Sequence, residues 1–307
     1  MEQSIMKFSG HETFPVREGW LHKGMKLVCE SPELFLDEEV ADYLGVGRNM
    51  AKSIRHWLLV TGLAEIDAAQ SRGRSMLLQP TDLGQLIWQH DPYLLSQGTW
   101  WILHANLVNN FDTTTTWSWF FNNFSHDRFD RAVCLESLRR FIGASQKRVP
   151  SISTISRDLG CMLLSYARTV PATNDDPEDG ADCPFRELGL LSYYRTSGYF
   201  HVHQTAKHIP AFVFGYVVSL SFPEAMRESQ TTDIKLQEGA RKAGGPGRVF
   251  CLNSETLFET VSQIEQESDQ FIQIAGMAGD RTIRLHCMPP DEWATLFYEA
   301  SQEIVNV

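Results

Sequence analysis

No two cysteines in this chain stand close enough to form a C-x-x-C pair. The six (Cys29, Cys134, Cys161, Cys183, Cys251 and Cys287) are scattered along 307 residues. That spacing excludes a zinc ribbon or dithiol redox motif and reads as reduced, mostly buried thiols. Long apolar runs are missing too. The longest, IPAFVFGYVVSLSF, spans fourteen residues (209–222), too short to cross a bilayer and suited to a buried helix. The first residues, MEQSIMKFSG, lack the charged start and apolar run of a signal peptide. The expected setting is cytoplasmic, without a membrane partner. Positive charge is scarce: 27 Lys and Arg stand against 38 Asp and Glu, a net charge of -11. This argues against a general coat on nucleic acid, but a local basic face would still suffice for binding. The P-loop, the G-x-S-x-G elbow and the H-E-x-x-H zinc motif are absent. HETFP has no histidine at position 15, and GGPGR (244–248) falls short of a phosphate loop. There is no strict repeat, low-complexity tract or coiled coil.

The chain does have enough length and apolar content (43% hydrophobic, 21% charged) for two or three domains with real cores. A short amphipathic helix is predicted over 20–30. A second helix is expected from an N-cap at Asp37, with carboxylates in its first turn. Gly45-Val46-Gly47 breaks it with a tight turn. A third helix starts near Arg48 and ends at Gly62. A strand, a turn carrying Arg72 and Arg74, a second strand and another helix follow. Helix, turn, helix and hairpin in that order is the layout of a winged helix-turn-helix. The third helix carries Arg48, Asn49, Lys52, Arg55 and His56, with no carboxylate between Arg48 and Thr61. That local reversal of sign marks Arg48, Asn49, Lys52, Arg55, Arg72 and Arg74 as candidate DNA contacts. Winged helices also dock proteins, so the layout alone leaves both uses open.

Residues 93–166 read as helices rich in aromatics, a core pattern. SISTISRDLG has Ser151 or Ser153 as N-cap and could open a second helix-turn-helix-like unit. The acidic stretch ATNDDPEDGADCPF is the expected boundary. Beyond it come a hairpin turning at Ser197-Gly198, the buried helix, a Gly/Pro turn into a short strand at GGPGRVFCL, a helix capped by Ser254 and a strand pair over 271–286. The expected fold is mainly α with small β-hairpins (α+β). It comprises an arm plus winged helix-turn-helix (1–92), a helical middle (93–172) and a smaller α+β C-terminal lobe (183–307).

The segment FSGHETFPVREGW concentrates His11, Glu12 and Arg17 among aromatics. Hydrolysis of a phosphodiester uses carboxylate-held metal ions, or a histidine base with an arginine clamping the phosphate. His11, Glu12 and Arg17 supply those residue types and are the candidate catalytic set. The other role open to them is structural: His11 and Arg17 pin the arm to the core, with Arg17 paired to a buried acid such as Asp158. Asp158 is also a lone candidate metal ligand. His201 and His203 share a strand face but lack a third ligand, and Arg248 is a further candidate phosphate contact.

FSGHETFPVREGWLHKG, LGVGRNMAKSIRHWLLVTGL and TDLGQLIWQHDPYL resemble the bacterial family called domain of unknown function 4007. SISTISRDLGCMLLSY, CPFRELGLL, PAFVFGYVV and GGPGRVFCLN extend the resemblance over nearly the whole chain. Members of that family sit in DNA phosphorothioation systems of phage defence, where sulfur replaces a non-bridging phosphate oxygen. The resemblance implies a nicking endonuclease acting on double-stranded DNA. It implies partnership with a cysteine desulfurase, an ATPase and a sulfotransferase-like enzyme. Mg²⁺ or another divalent ion is the cofactor to be tested. The rival readings are a non-catalytic DNA-binding adaptor that positions the sulfur-transfer enzymes, and a transcriptional regulator.

Overall fold

A computed structural model describes residues 6–69, 76–145, 149–170, 183–227, 230–268, 270–276 and 281–305. The chain is an α+β protein: helices predominate, and the described strands form small sheets of two, four and three strands. It divides into two compact units, one built from residues 1–120 and 124–202, the other from 121–123 and 203–307. The contact boundary therefore falls near residue 202. Residues 172–182 of the acidic stretch expected as a boundary lie outside the described residues, and both flanks of the stretch belong to the first unit.

The first unit opens with an arm that leads into helix α1 (Trp20–Glu30). A 3-10 turn (Pro32–Leu36) and α2 (Val40–Leu44) follow, then α3 (Arg48–Val60). Asp37 does not cap α2; its carboxylate accepts the Glu39 N–H at 2.9 Å, and the helix starts three residues later. Gly45 supplies the left-handed conformation (φ 65°) that reverses the chain between α2 and α3. Along α3, Ala51, Ser53, Ile54, Trp57, Leu58 and Val60 form the buried stripe at helical spacing. Strands β1 (Ala64–Ile66) and β2 (Leu78–Pro80) pair antiparallel. Helix α4 (Asp82–His90) is capped by the Thr81 hydroxyl, which accepts the Gly84 N–H at 2.9 Å. The helix–turn–helix–hairpin order is thus present. The turn expected to carry Arg72 and Arg74 lies outside the described residues.

Four helices follow: α5 (Gln97–Asn109), α6 (Thr115–Asn123, whose residues 121–123 count with the second unit), α7 (Arg131–Ser145) and α8 (Ile152–Tyr166). Ser151 caps α8 by accepting the Thr154 N–H at 3.1 Å. No second helix-turn-helix forms here, because α8 is one helix that runs straight into strand β4 (Ala167–Val170). Strand β5 (Leu191–Tyr194) lies parallel to β4 and antiparallel to β6 (Tyr199–Val202), and β3 (Arg128–Phe129) completes the sheet. The hairpin turns at Gly198, as its sequence suggests.

In the second unit, α9 (Ala211–Ser221) is apolar on all sides and buried, as an interior helix must be. It packs against α13 (Pro290–Val305) around Trp293. Strands β7 (Thr231–Lys235), β8 (Ile272–Ala275) and β9 (Thr282–His286) form an antiparallel sheet with β9 central. GGPGRVFCL forms the short helix α11 (Pro246–Val249), not a strand; Pro246 begins its first turn, where no amide donor is needed. Helix α10 (Leu236–Arg241) precedes it. Helix α12 (Ser254–Ser268) is capped by Asn253, whose side-chain oxygen accepts the N–H of Glu255 and Thr256. The cap thus lies one residue before the expected Ser254.

Candidate functional site

The arm is held by one carboxylate. Asp158, buried on α8, accepts three hydrogen bonds: from Ser9 N–H (2.7 Å), from His11 Nε2 (2.8 Å) and from the Thr116 hydroxyl (2.5 Å). The other nitrogen of His11, Nδ1, accepts the Thr13 N–H at 3.0 Å. The ring therefore carries its proton on Nε2 and donates it to Asp158. Charge-assisted bonds of this kind are among the stronger ones in proteins.

The backbone of the arm is bent to reach this arrangement. Ser9, Glu12 and Thr13 all lie in the left-handed region, with φ of 66°, 49° and 70°. Non-glycine residues rarely adopt that region, and each such residue costs on the order of 1–3 kcal/mol. Surrounding contacts over-determine the conformation. Phe14 O accepts from Trp57 Nε1 (3.1 Å) and from the Ser53 hydroxyl (3.5 Å), both on α3. Val16 is fully buried, and Phe14 lies edge-on to Trp20. The His11 ring sits edge-on to Trp117 at 5.4 Å and to His56 at 6.0 Å.

His56, on α3, closes one side of the arm. Burial, reinforced by the neighbouring His11 and by Lys7, pushes its imidazole down to about 4, against a smaller opposing pull from Asp158. It is uncharged at neutral pH. Gly10 makes this packing possible: a Cβ there would lie 2.5 Å from His56 Nδ1.

The structure separates the three residues expected to act together. His11 is buried, turned inward, and lines a cavity of about 310 Å³ with His56, Trp117 and Asp158. Arg17 is exposed, its guanidinium 5.5 Å from the centre of the Trp20 ring. It lines a different, larger cleft of about 780 Å³ with Tyr93, Arg168 and Arg186. Glu12 is half-buried on the bend. Asp158 is paired with His11, not with Arg17.

On α3, Arg48, Asn49 and Lys52 are exposed. Arg55 is half-buried, its guanidinium lowered by burial, and it donates to Met76 O at 2.8 Å. It ties the helix to the chain entering β2. Among the described residues no group of three or more His, Cys, Asp or Glu could hold a metal ion. His201 lies on β6 with its ring 4.7 Å from that of Tyr194, and the strand ends at Val202, before His203. Arg248 donates to Arg241 O at 3.5 Å. None of the six cysteines is in a disulfide. Burial raises the thiols of Cys134, Cys161 and Cys183, the last to about 12, so none of these three is a ready nucleophile.

Fold and site together define an α+β protein with a strained arm buttoned onto α8 by a buried carboxylate and tied to the basic helix α3 through Phe14 O. The chain belongs to the family described as "Protein of unknown function (DUF4007)", which matches residues 8–297. It is similar to a magnesium ion-bound SspB crystal structure, at 28% identity and a TM-score of 0.79, covering 96% of this chain and 87% of that one. A second SspB crystal structure matches over the same shares, at 28% identity and a TM-score of 0.78. No curated protein matches.

Sequence reasoning singles out Asp158 but not its partners. The signal for Thr116 is weak, since four threonines (113–116) precede the aromatic run. Nothing local distinguishes the one that meets a carboxylate forty-two residues away.

Proposed function

We propose that this protein acts on double-stranded DNA as the strand-nicking component of an Ssp-type phosphorothioation system. The observation that carries the reading is the exposed, acid-free face of α3 with Arg48, Asn49 and Lys52 in a chain of net charge -11. Family membership and the likeness to SspB over 96% of the chain support a place in an Ssp system. Lysine and arginine on such a face neutralise backbone phosphates, and asparagine can read an adenine edge. Arg72 and Arg74 would extend the contact at the hairpin. A cysteine desulfurase, an ATPase and a sulfotransferase-like enzyme are the proposed partners. The raised thiols of three buried cysteines are consistent with leaving sulfur transfer to them.

Within this proposal His11 is a positioning residue, because its two ring nitrogens are occupied by Asp158 on α8 and by the Thr13 N–H. Arg17, exposed beyond it, is the group placed to clamp a phosphate, and Glu12 is the nearby carboxylate. Magnesium is bound by one of the similar structures. In this chain Asp158 already accepts three internal hydrogen bonds and does not fit as a ligand without releasing the arm.

A second reading, the DNA-binding adaptor, is favoured by one observation: no metal-ligand group occurs among the described residues. Fluorescence anisotropy on a labelled duplex tests what both readings share. Arg48→Ala with Lys52→Ala should weaken binding and flatten the salt slope by roughly 0.9 for each phosphate no longer neutralised. Unchanged affinity in the folded double variant would overturn DNA reading by α3.

A further inference from the structure

We propose that the cleft beside Arg17 seats an unpaired stretch of DNA strand, with one base stacked on Tyr93 and backbone phosphates on Arg168 and Arg186. The proposal rests on the DNA-acting reading above and names where the strand lies. The cleft, of about 780 Å³, is built within the first unit. Its signature is an aromatic ring fixed at the surface. Tyr93 is 64% exposed, yet its ring stacks on that of His22 at 4.5 Å and 21°. His22 stacks also on Trp88, at 5.4 Å and 27°, and its Nδ1 donates to Pro92 O at 2.8 Å. An exposed side chain ordinarily samples several rotamers. This one is held, with ring surface open to the cleft it lines, so less order has to be imposed when a second flat ring meets it.

Three guanidinium groups line the same cleft, those of Arg17, Arg168 and Arg186. Arg168 donates through Nε to Arg186 O at 2.8 Å, and Arg186 donates through Nε to Leu164 O at 3.0 Å. Both side chains are thus held in place by the backbone. Two carboxylates, Glu18 and Glu187, stand against the three arginines, so the wall is net positive in a chain of net charge -11. Glu187 pairs with Arg168 at 2.8 Å, but both side chains are exposed (73% and 49%). Exposed pairs contribute little, so a phosphate competes with this one readily. Each nucleotide carries one flat ring and one phosphate. Guanidinium groups pair with phosphate oxygens, and a stacking ring accepts any base. A positive groove with a stacking ring is the combination that binds single strands without sequence preference. An acidic protein segment would suit the arginines but would leave the held ring without a matching face; a strand uses both. The strand must be unpaired at this point, because bases inside a duplex turn their faces to their neighbours.

The test uses the full chain with a plain duplex and with the same duplex carrying a short single-stranded gap, the gap containing the fluorescent base 2-aminopurine. The expected result is tighter binding of the gapped duplex, by about tenfold or more, with 2-aminopurine emission quenched as the base stacks. Tyr93→Ala should lose most of the preference and most of the quenching. Tyr93→Phe keeps the ring and should retain both. Tyr93 is exposed, so neither change opens the core. Arg168→Ala should flatten the salt dependence of gapped-duplex binding by roughly 0.7, the share of one single-strand phosphate. Wild-type preference and quenching in Tyr93→Ala overturn the stacking site and return the cleft to an acidic protein segment. Equal affinity of the wild-type chain for gapped and plain duplex, with both bound, overturns the strand seat and leaves the DNA reading standing. Absence of binding to either duplex overturns both readings.

Discussion

Replacing Asp158 with alanine removes the acceptor of three hydrogen bonds at once. The Ser9 amide, His11 and Thr116 are left without it in a buried site. Loss of one member of such a set costs roughly 3–5 kcal/mol, and a urea midpoint should fall accordingly. Thr116→Val should cost less, roughly 1.5–3 kcal/mol for one bond to a charged group. Arg17→Ala makes a sharp contrast. The side chain is exposed, so stability should change by less than about 0.5 kcal/mol. Nicking should drop by roughly a hundredfold if Arg17 meets the phosphate. A parallel fall in melting temperature and activity would instead make Arg17 a tether. His56 adds a pH signature. Its folded value of about 4 lies below the ordinary 6.5, so the unfolded chain binds the extra proton between those two values. Stability is full above about 6.5 and declines as pH falls toward 4, by on the order of 3 kcal/mol at most. His56→Gln should remove that component, which appears as the difference between the two urea series. Identical pH dependence in both proteins would contradict a half-buried, uncharged His56.

The elements show what a sequence carries openly and what it hides. Helix α3 is legible: its buried stripe, the preceding Gly45 turn and its run without acids are all local. The cap of α8 is equally readable, because Ser151 bonds within three residues, whereas the caps expected at Asp37 and Ser254 are displaced along the chain. Helix α13 carries the usual start signals, Pro290 followed by Asp291 and Glu292, although no helix is predicted there above. Strand β7 is hard to find, since its pattern is mixed and its partner β9 lies some fifty residues away. The arm is legible as unusual and illegible in detail. His11 and Arg17 sit six positions apart in a bend with three left-handed residues, and that bend sends them to different cavities. Arg55 shows the same limit: it belongs to the basic run, yet its guanidinium is used on Met76 O. Arg55→Ala is therefore expected to loosen the junction of α3 with the hairpin as well as any DNA contact. A lower melting temperature than that of Lys52→Ala would register this. Equal melting temperatures would return Arg55 to the exposed face.

At the scale of the molecule, the boundary drawn from composition and the one drawn from contacts differ. Acidity and proline mark ATNDDPEDGADCPF (172–185) as a boundary, but β4 and β5 on its two sides pair in parallel, so both flanks belong to one unit. Parallel pairing is a long-range property that composition does not encode. Charge behaves similarly. A net charge of -11 repels DNA at a distance, and a local basic face acts only within about a Debye length, ~8 Å at physiological salt. Binding by such a protein depends on where three or four side chains point, not on its total. The claim that this protein cuts one DNA strand is tested most directly with supercoiled plasmid. The purified full chain is incubated with Mg²⁺, with excess EDTA, and as the Arg48→Ala, Lys52→Ala double variant. The expected result is open-circle product from the wild-type chain with Mg²⁺, and little or none from the double variant. Plasmid that stays supercoiled, while still bound by the wild-type chain, would contradict nicking and leave the adaptor.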